Sequence, residues 1–235
     1  MAKKDKLAIM PGDEGMCPPN FHLVRGHFRT CHSGTKTTVK THIAKNPKHK
    51  DGSHYFSENL RYVYFVDHTV DAKLRLGKIC GFAEYEEIDD VISFWMDFWK
   101  NKGLVFPDDL TPRHIKAMIA YESSFDPEVK AKSKKSTALG LMQVTSTARN
   151  TLSGKKNKSG YQEVKRETIA IEHPTLKDVV INIAAGTRWL AHKYTTIPKK
   201  MERTAFNISK NYNQWNEEGT KYATNIMELY NKKCP

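Results

Sequence analysis

At 235 residues, with 39% hydrophobic and 27% charged side chains, the chain is long enough for one sizeable core plus a smaller appendage and has the composition of a soluble, globular protein. Its formal net charge of +12 and pI of about 9.4 call for an anionic partner, for which nucleic acid, phospholipid and cell wall all qualify. No apolar run approaches the roughly 20 residues needed to span a bilayer, and Cys17, Cys31, Cys80 and Cys234, widely spaced and without a CxxC pair, signal neither a dense disulfide framework nor a zinc ribbon.

Residues 1 to about 20 are polar and contain Gly and Pro, as in a flexible arm. Within it Leu7, Ala8, Ile9 and Met10 form an apolar stretch too short for a secretion signal before Pro11 and Gly12 break it, so standard export is not expected. His22 to Arg29 and Thr37 to Ile43 are β-prone runs flanking Ser33 and Gly34, a hairpin signal, and Tyr62 to Val66 is a third expected strand. His22, His27, His32, His42, His49 and His54, with Cys17 and Cys31, fit no standard metal-ligand spacing, and alternation along strands scatters them over both faces; no metal is expected. Arg25, Phe28, Arg29, Lys36 and Lys40 interleave cations with an aromatic but match no nucleic-acid signature, so nucleic acid is not the expected partner.

At about residue 84 the period changes. Ile88, Val91, Ile92, Trp95, Phe98 and Trp99 recur at helical spacing and predict a helix that buries its tryptophan stripe. The next begins with Thr111 as N-cap and Pro112 in the first turn, carries Ile115, Met118 and Ile119 on one face, and stops before Asp126 and Pro127, with Glu122 in its last turns. Further helices are expected over about 178–194 and 219–231, and Ser153 to Lys158 reads as a solvated loop. The expected fold class is α+β, with a β-containing N-terminal region over 1–83 and a mainly helical domain over 84–235.

Three segments stand out once the helices are placed: Tyr121-Glu122-Ser123-Ser124-Phe125-Asp126-Pro127, then Ala138-Leu139-Gly140-Leu141-Met142-Gln143-Val144, then Asn211-Tyr212-Asn213. Together with Asn182-Ile183, Gly186 and Trp189-Leu190, they resemble the ordered motifs of the soluble, Slt-like lytic transglycosylases, which share a fold with goose-type lysozyme. The resemblance covers about 105–231. It implies a lysozyme-like domain that cleaves the MurNAc-GlcNAc β-1,4 bond of peptidoglycan glycan strands, with Glu122 catalytic, no cofactor, and 1,6-anhydroMurNAc as product. It also implies that Gln143, Tyr212, Met142, Ser136 and Asn213 bind substrate. Ser136 is preferred over Ser133 as the family's cleft serine. The chain departs from the pattern in its longer lysine-bearing link from Phe125 to Gly140, in Thr137 where glycine is common, and in Asn211 in place of alanine.

Residue chemistry points the same way. Glycosidic cleavage needs an acid on the leaving oxygen, and a carboxyl held among apolar side chains near a helix end has its pKa raised toward the working pH. Gln143 offers a donor and acceptors to sugar groups, and Gly140 lets backbone approach the glycan. Tyr212 is expected to hydrogen-bond the Glu122 carboxyl, and Met142 reads equally as core filler or ligand contact. A two-carboxylate hydrolase would need a second acid at a set distance. The motifs supply none, because Asp126 reads as a helix stop, and a non-hydrolytic outcome is favoured over a goose-lysozyme-like hydrolase of phage or endolysin origin. Lys130, Lys132, Lys134 and Lys135 form either a solvated loop or a rim that attracts the carboxylates of peptidoglycan.

Made in the cytoplasm and acting in the periplasm or cell wall, such an enzyme would need a secretion machine or phage particle to deliver it. The first expectation is an antibacterial effector with a cognate immunity protein. The rival from another class is a binding module, either a degenerate lysozyme-like domain or a basic nucleic-acid-binding protein.

Overall fold

The computed structural model describes residues 16–24, 27–30, 36–40, 42–45, 53–66, 79, 81–131 and 137–233. Its architecture is α+β: seven α-helices and three two-stranded sheets among those residues, with the helices concentrated in the C-terminal part.

The N-terminal strands nest. β1 (Phe21–Val24) pairs antiparallel with β4 (His42–Lys45), and β2 (His27–Thr30) with β3 (Lys36–Val39), in the order expected of a hairpin about residues 33 and 34. Asn59 anchors the base of this unit: its amide donates to the carbonyls of Cys17, Pro18 and Phe21 at 2.8–2.9 Å while its side-chain oxygen accepts from the Phe56 N–H. That buried amide sits in α1 (Ser57–Phe65), where the third strand was expected. Tyr62 to Phe65 is helical because Leu60 and Val63, three apart, bury one face against the core, and the β-branched and aromatic preference of the run is overridden by packing. Just before it, β5 (His54–Phe56) pairs in parallel with β6 (Thr168–Ala170), so residues 53–65 are built into the helical body.

α2 (Asp89–Asn101) buries the expected stripe, with Trp95 and Trp99 fully enclosed and the Trp99 indole donating to the Ala184 carbonyl. It packs on α3 (Pro112–Ser123) and on α5 (Val179–Thr196), whose residues 180–192 are all buried. Asp89 and Lys116 form a buried ion pair of 2.7 Å between α2 and α3. α4 (Ser146–Leu152), α6 (Ala205–Asn213) and α7 (Glu217–Lys233) complete the body. Ser153 to Lys158 is the turn expected of it. Among the described residues no helix is long and apolar enough to cross a membrane, and no group of three or more His, Cys, Asp or Glu is placed to hold a metal ion. Cys31, His32, His49, Cys80 and Cys234 lie outside the described residues.

Candidate active site

Glu122 ends α3, one residue before the helix gives way to Ser124 and Phe125, both with positive φ (50° and 65°). Two consecutive non-glycine residues in that region cost backbone energy, a feature that concentrates at functional sites. Packing supports it here: the Phe125 ring stacks on Tyr85 at 3.9 Å, and Asp126 turns back through its own carboxylate to the Glu128 N–H. Asp126 is thus a turn former, as its place before proline suggested.

α7 runs antiparallel to α3. At one end the Arg113 guanidinium donates to the Tyr230 carbonyl and lies over its ring, while His114 stacks on the same ring. Burial lowers the His114 pKa to about 4, so the ring is neutral and Nδ1 accepts from the Thr111 N–H at the start of α3. At the other end Tyr222 donates its hydroxyl to Glu122 Oε1 at 2.6 Å. Burial raises the Glu122 carboxyl from its ordinary 4.5 to about 7, against the Tyr222 bond, which alone would favour the charged form. The residue keeps some exposure because it opens onto the cleft, yet its carboxyl is enclosed. The Tyr222 and Tyr212 phenols are both pushed well above 10 by burial and by the Glu122 charge, so they remain donors.

The carboxyl's partner is therefore Tyr222 and not Tyr212, as the sequence motif suggested. Tyr212, on α6, donates to the Met142 carbonyl at 2.6 Å. That bond is one of several that pin the tight turn over Leu139–Val144. Asn182 of α5, buried, donates to the carbonyls of Leu139 and Leu176 and accepts from the Met142 N–H at 2.8 Å. Gly140, at φ +79°, is demanded twice over, since a Cβ there would collide with the Asn182 amide and the Leu176 carbonyl. Met142 is fully buried with its sulfur against Gly186, so the reading of it as a ligand contact is overturned: a side chain that fills the gap left by a glycine on α5 has no face left for substrate. Asn211, in place of alanine, donates to the Lys193 carbonyl and the Thr196 hydroxyl, fastening α6 to the end of α5.

These elements enclose a cleft of about 470 Å³. Glu122, Gln143, Tyr212 and Asn213 all line it, so four residues chosen from the sequence meet in one place. Gln143, at φ +46°, spends its amide N–H groups on the carbonyls of Val129 and Gly140, which leaves its side-chain oxygen as the acceptor for a ligand. Ser136, like Ser133 and three of the four link lysines, lies outside the described residues. Trp189, from the Asn182–Leu190 motif, lines the cleft as well, and so do Thr145, Thr147 and Lys193, which had no motif to mark them. Tyr222 was hidden more thoroughly: with Ile226 it belongs to the apolar face of a helix, where a tyrosine reads as core. Glu122 is the sole carboxylate, and Lys193 the sole cation, among the described residues that line the cleft.

A family model described as "Transglycosylase SLT domain" matches residues 107–229, slightly more than half of the chain and the stretch that contains Glu122, the Leu139–Val144 turn, Tyr212 and Tyr222. Neither a curated protein nor a solved structure matches the chain. With a half-buried glutamate, a pinned turn and a cleft between them all inside the matched segment, the chain belongs to the SLT transglycosylase domain family, whose substrate is peptidoglycan.

Proposed function

We propose that this protein is a peptidoglycan lytic transglycosylase that cleaves the MurNAc-GlcNAc β-1,4 bond and leaves a 1,6-anhydroMurNAc end. The observation that carries this reading is the solitary Glu122 carboxyl, poised at about 7 in a cleft with no second carboxylate among its described lining residues. Protonated Glu122 gives its proton to the glycosidic oxygen as the C1–O bond breaks, and the GlcNAc departs with a hydroxyl. The resulting carboxylate then takes the proton of the muramyl 6-hydroxyl, whose oxygen bonds to C1 and closes the anhydro ring. Glu122 returns to its protonated form and no water is consumed. A group whose pKa lies near neutrality serves both halves, and Tyr222, by occupying Oε1, leaves Oε2 to carry the proton. Gln143, Tyr212 and Asn213 line the path of the strand.

Purified sacculi digested with the protein should release muropeptides lighter by one water than hydrolysed ones, and Glu122→Gln should release none. Muropeptides of hydrolysed mass would instead make it a goose-lysozyme-like muramidase, and full activity in Glu122→Gln would remove Glu122 from the chemistry.

We further propose that it acts as a delivered antibacterial effector, with residues 1–83 supplying docking or wall targeting. Within that region β5 and α1 are packed into the catalytic body, so the pair of nested hairpins, basic and hung from Asn59, is the part free to serve that role. An immunity protein would plug the cleft over Glu122. Protein directed to the periplasm of a cell that lacks such an inhibitor should lyse it, whereas survival would sink the effector reading while leaving the enzymology intact.

A further inference from the structure

Lys193 stands on α5 one turn beyond Trp189, and both line the cleft that holds Glu122. Its ammonium lies 4.9 Å from the centroid of the Trp189 ring, a cation–π contact that fixes its position without satisfying its charge. Its own backbone is held by Asn211, which donates to the Lys193 carbonyl at 2.8 Å. Glu163, the acid that favours its charged form, is taken by His192 at 3.2 Å, and among the described residues no carboxylate forms an ion pair with the Lys193 ammonium. Burial works against the charge and Glu163 only partly offsets it. Nor does Lys193 serve the catalytic acid, whose ionisation is governed by burial and the Tyr222 bond. A half-buried, positioned and unpaired cation inside a cleft is a site for an anion supplied by the ligand.

Resting on the proposed function, the substrate offers one kind of anion. Glycan strands of peptidoglycan are neutral polyols and amides except for the carboxylates on the muramyl side chain: the lactyl carboxylate where the stem peptide has been removed, or carboxylates of the peptide where it remains. We propose that Lys193 makes the cleft selective for muramyl residues that bear a free carboxylate, its ammonium pairing with that group while Trp189 holds it in place.

Binding of strands to the Glu122→Gln protein tests this without bond cleavage. Three ligands are titrated: strands stripped of peptide by an amidase, the same strands with their lactyl carboxylates methyl-esterified, and peptide-bearing strands. Glu122→Gln should bind the free-acid strands about tenfold more tightly than the esters, the magnitude of one charge-assisted contact. Adding Lys193→Gln should abolish that difference, Lys193→Arg should restore most of it, and the exposed control Lys158→Gln should leave it unchanged. A preference confined to stripped strands assigns the lactyl carboxylate, and one confined to peptide-bearing strands assigns the peptide. Equal binding of all three ligands, or a preference that survives Lys193→Gln, overturns the proposal. Turnover of the same strands by the unaltered protein is scored separately, so failure to cleave would count against the proposed reaction and not against Lys193.

Discussion

Replacing Glu122 by Gln should inactivate the protein and stabilise it at the same time, but only at alkaline pH. A carboxyl whose folded pKa of about 7 exceeds its ordinary 4.5 binds more protons in the folded than in the unfolded chain between those values. Its stability contribution is therefore intact below about pH 4.5, declines as pH rises, and is lost above about pH 7. The interval, at about 1.36 kcal/mol per pKa unit, sets a ceiling of about 3 kcal/mol. Because the residue opens onto the cleft, screening brings the expected value nearer to about 2 kcal/mol. Gln keeps the side-chain oxygen that accepts from Tyr222 and removes the charge, so the variant escapes this cost. Urea or thermal unfolding at pH 8.5 should show a gain of about 2 kcal/mol, roughly 4–8 °C in Tm for a chain of this size, and at pH 4 the two proteins should melt together. A gain of equal size at both pH values, or none at pH 8.5, would refute the claim that burial holds this carboxyl near neutrality.

Three further outcomes follow from the same geometry. Tyr222→Phe removes the donor that favours the carboxylate, so the Glu122 pKa should rise above about 7 by about one further unit, and the alkaline limb of sacculus clearance against pH should move up with it; an unmoved or lowered limb would contradict the bond. Gly140→Ala forces a side chain into a left-handed position against the Asn182 amide and the Leu176 carbonyl, and should cost more than about 2 kcal/mol in urea denaturation along with activity. Lys116→Met leaves the buried Asp89 carboxylate with the Ile79 N–H alone and should cost about 3–5 kcal/mol, part of which Asp89→Asn in the same chain should recover.

Features written in local order were legible in the sequence. Helices α2, α3, α5 and α7 announce themselves by apolar spacing and, for α3, by Thr111 and Pro112, while Glu122, Gln143 and Tyr212 stand in short motifs whose residue types suit glycan chemistry. Two β-prone runs flanking a Ser-Gly step announced a hairpin, and the structure divides each run into two strands, β1 and β2 paired with β4 and β3. Tyr62 to Val66 failed because its residue types favour strand while its buried pair, Leu60 and Val63, sits at helical spacing against neighbours far along the chain.

The Glu122 carboxyl and the turn over Leu139–Val144 could be read without the fold, because the residues of each stand consecutively on single elements. Only tertiary structure decided who holds the acid. Tyr212 and Tyr222 both stand near Glu122, and which hydroxyl reaches its carboxyl depends on the antiparallel fit of α7 to α3, set by Arg113 and His114 against Tyr230 more than a hundred residues away. The same holds for Met142, which a glycine on another helix draws into the core, and for Lys193, whose charge acquires a purpose only when the cleft closes around it without a partner. Hydrogen bonds and charge pairing act through space over a few ångströms, and sequence spacing reports such distances only within one helix or hairpin.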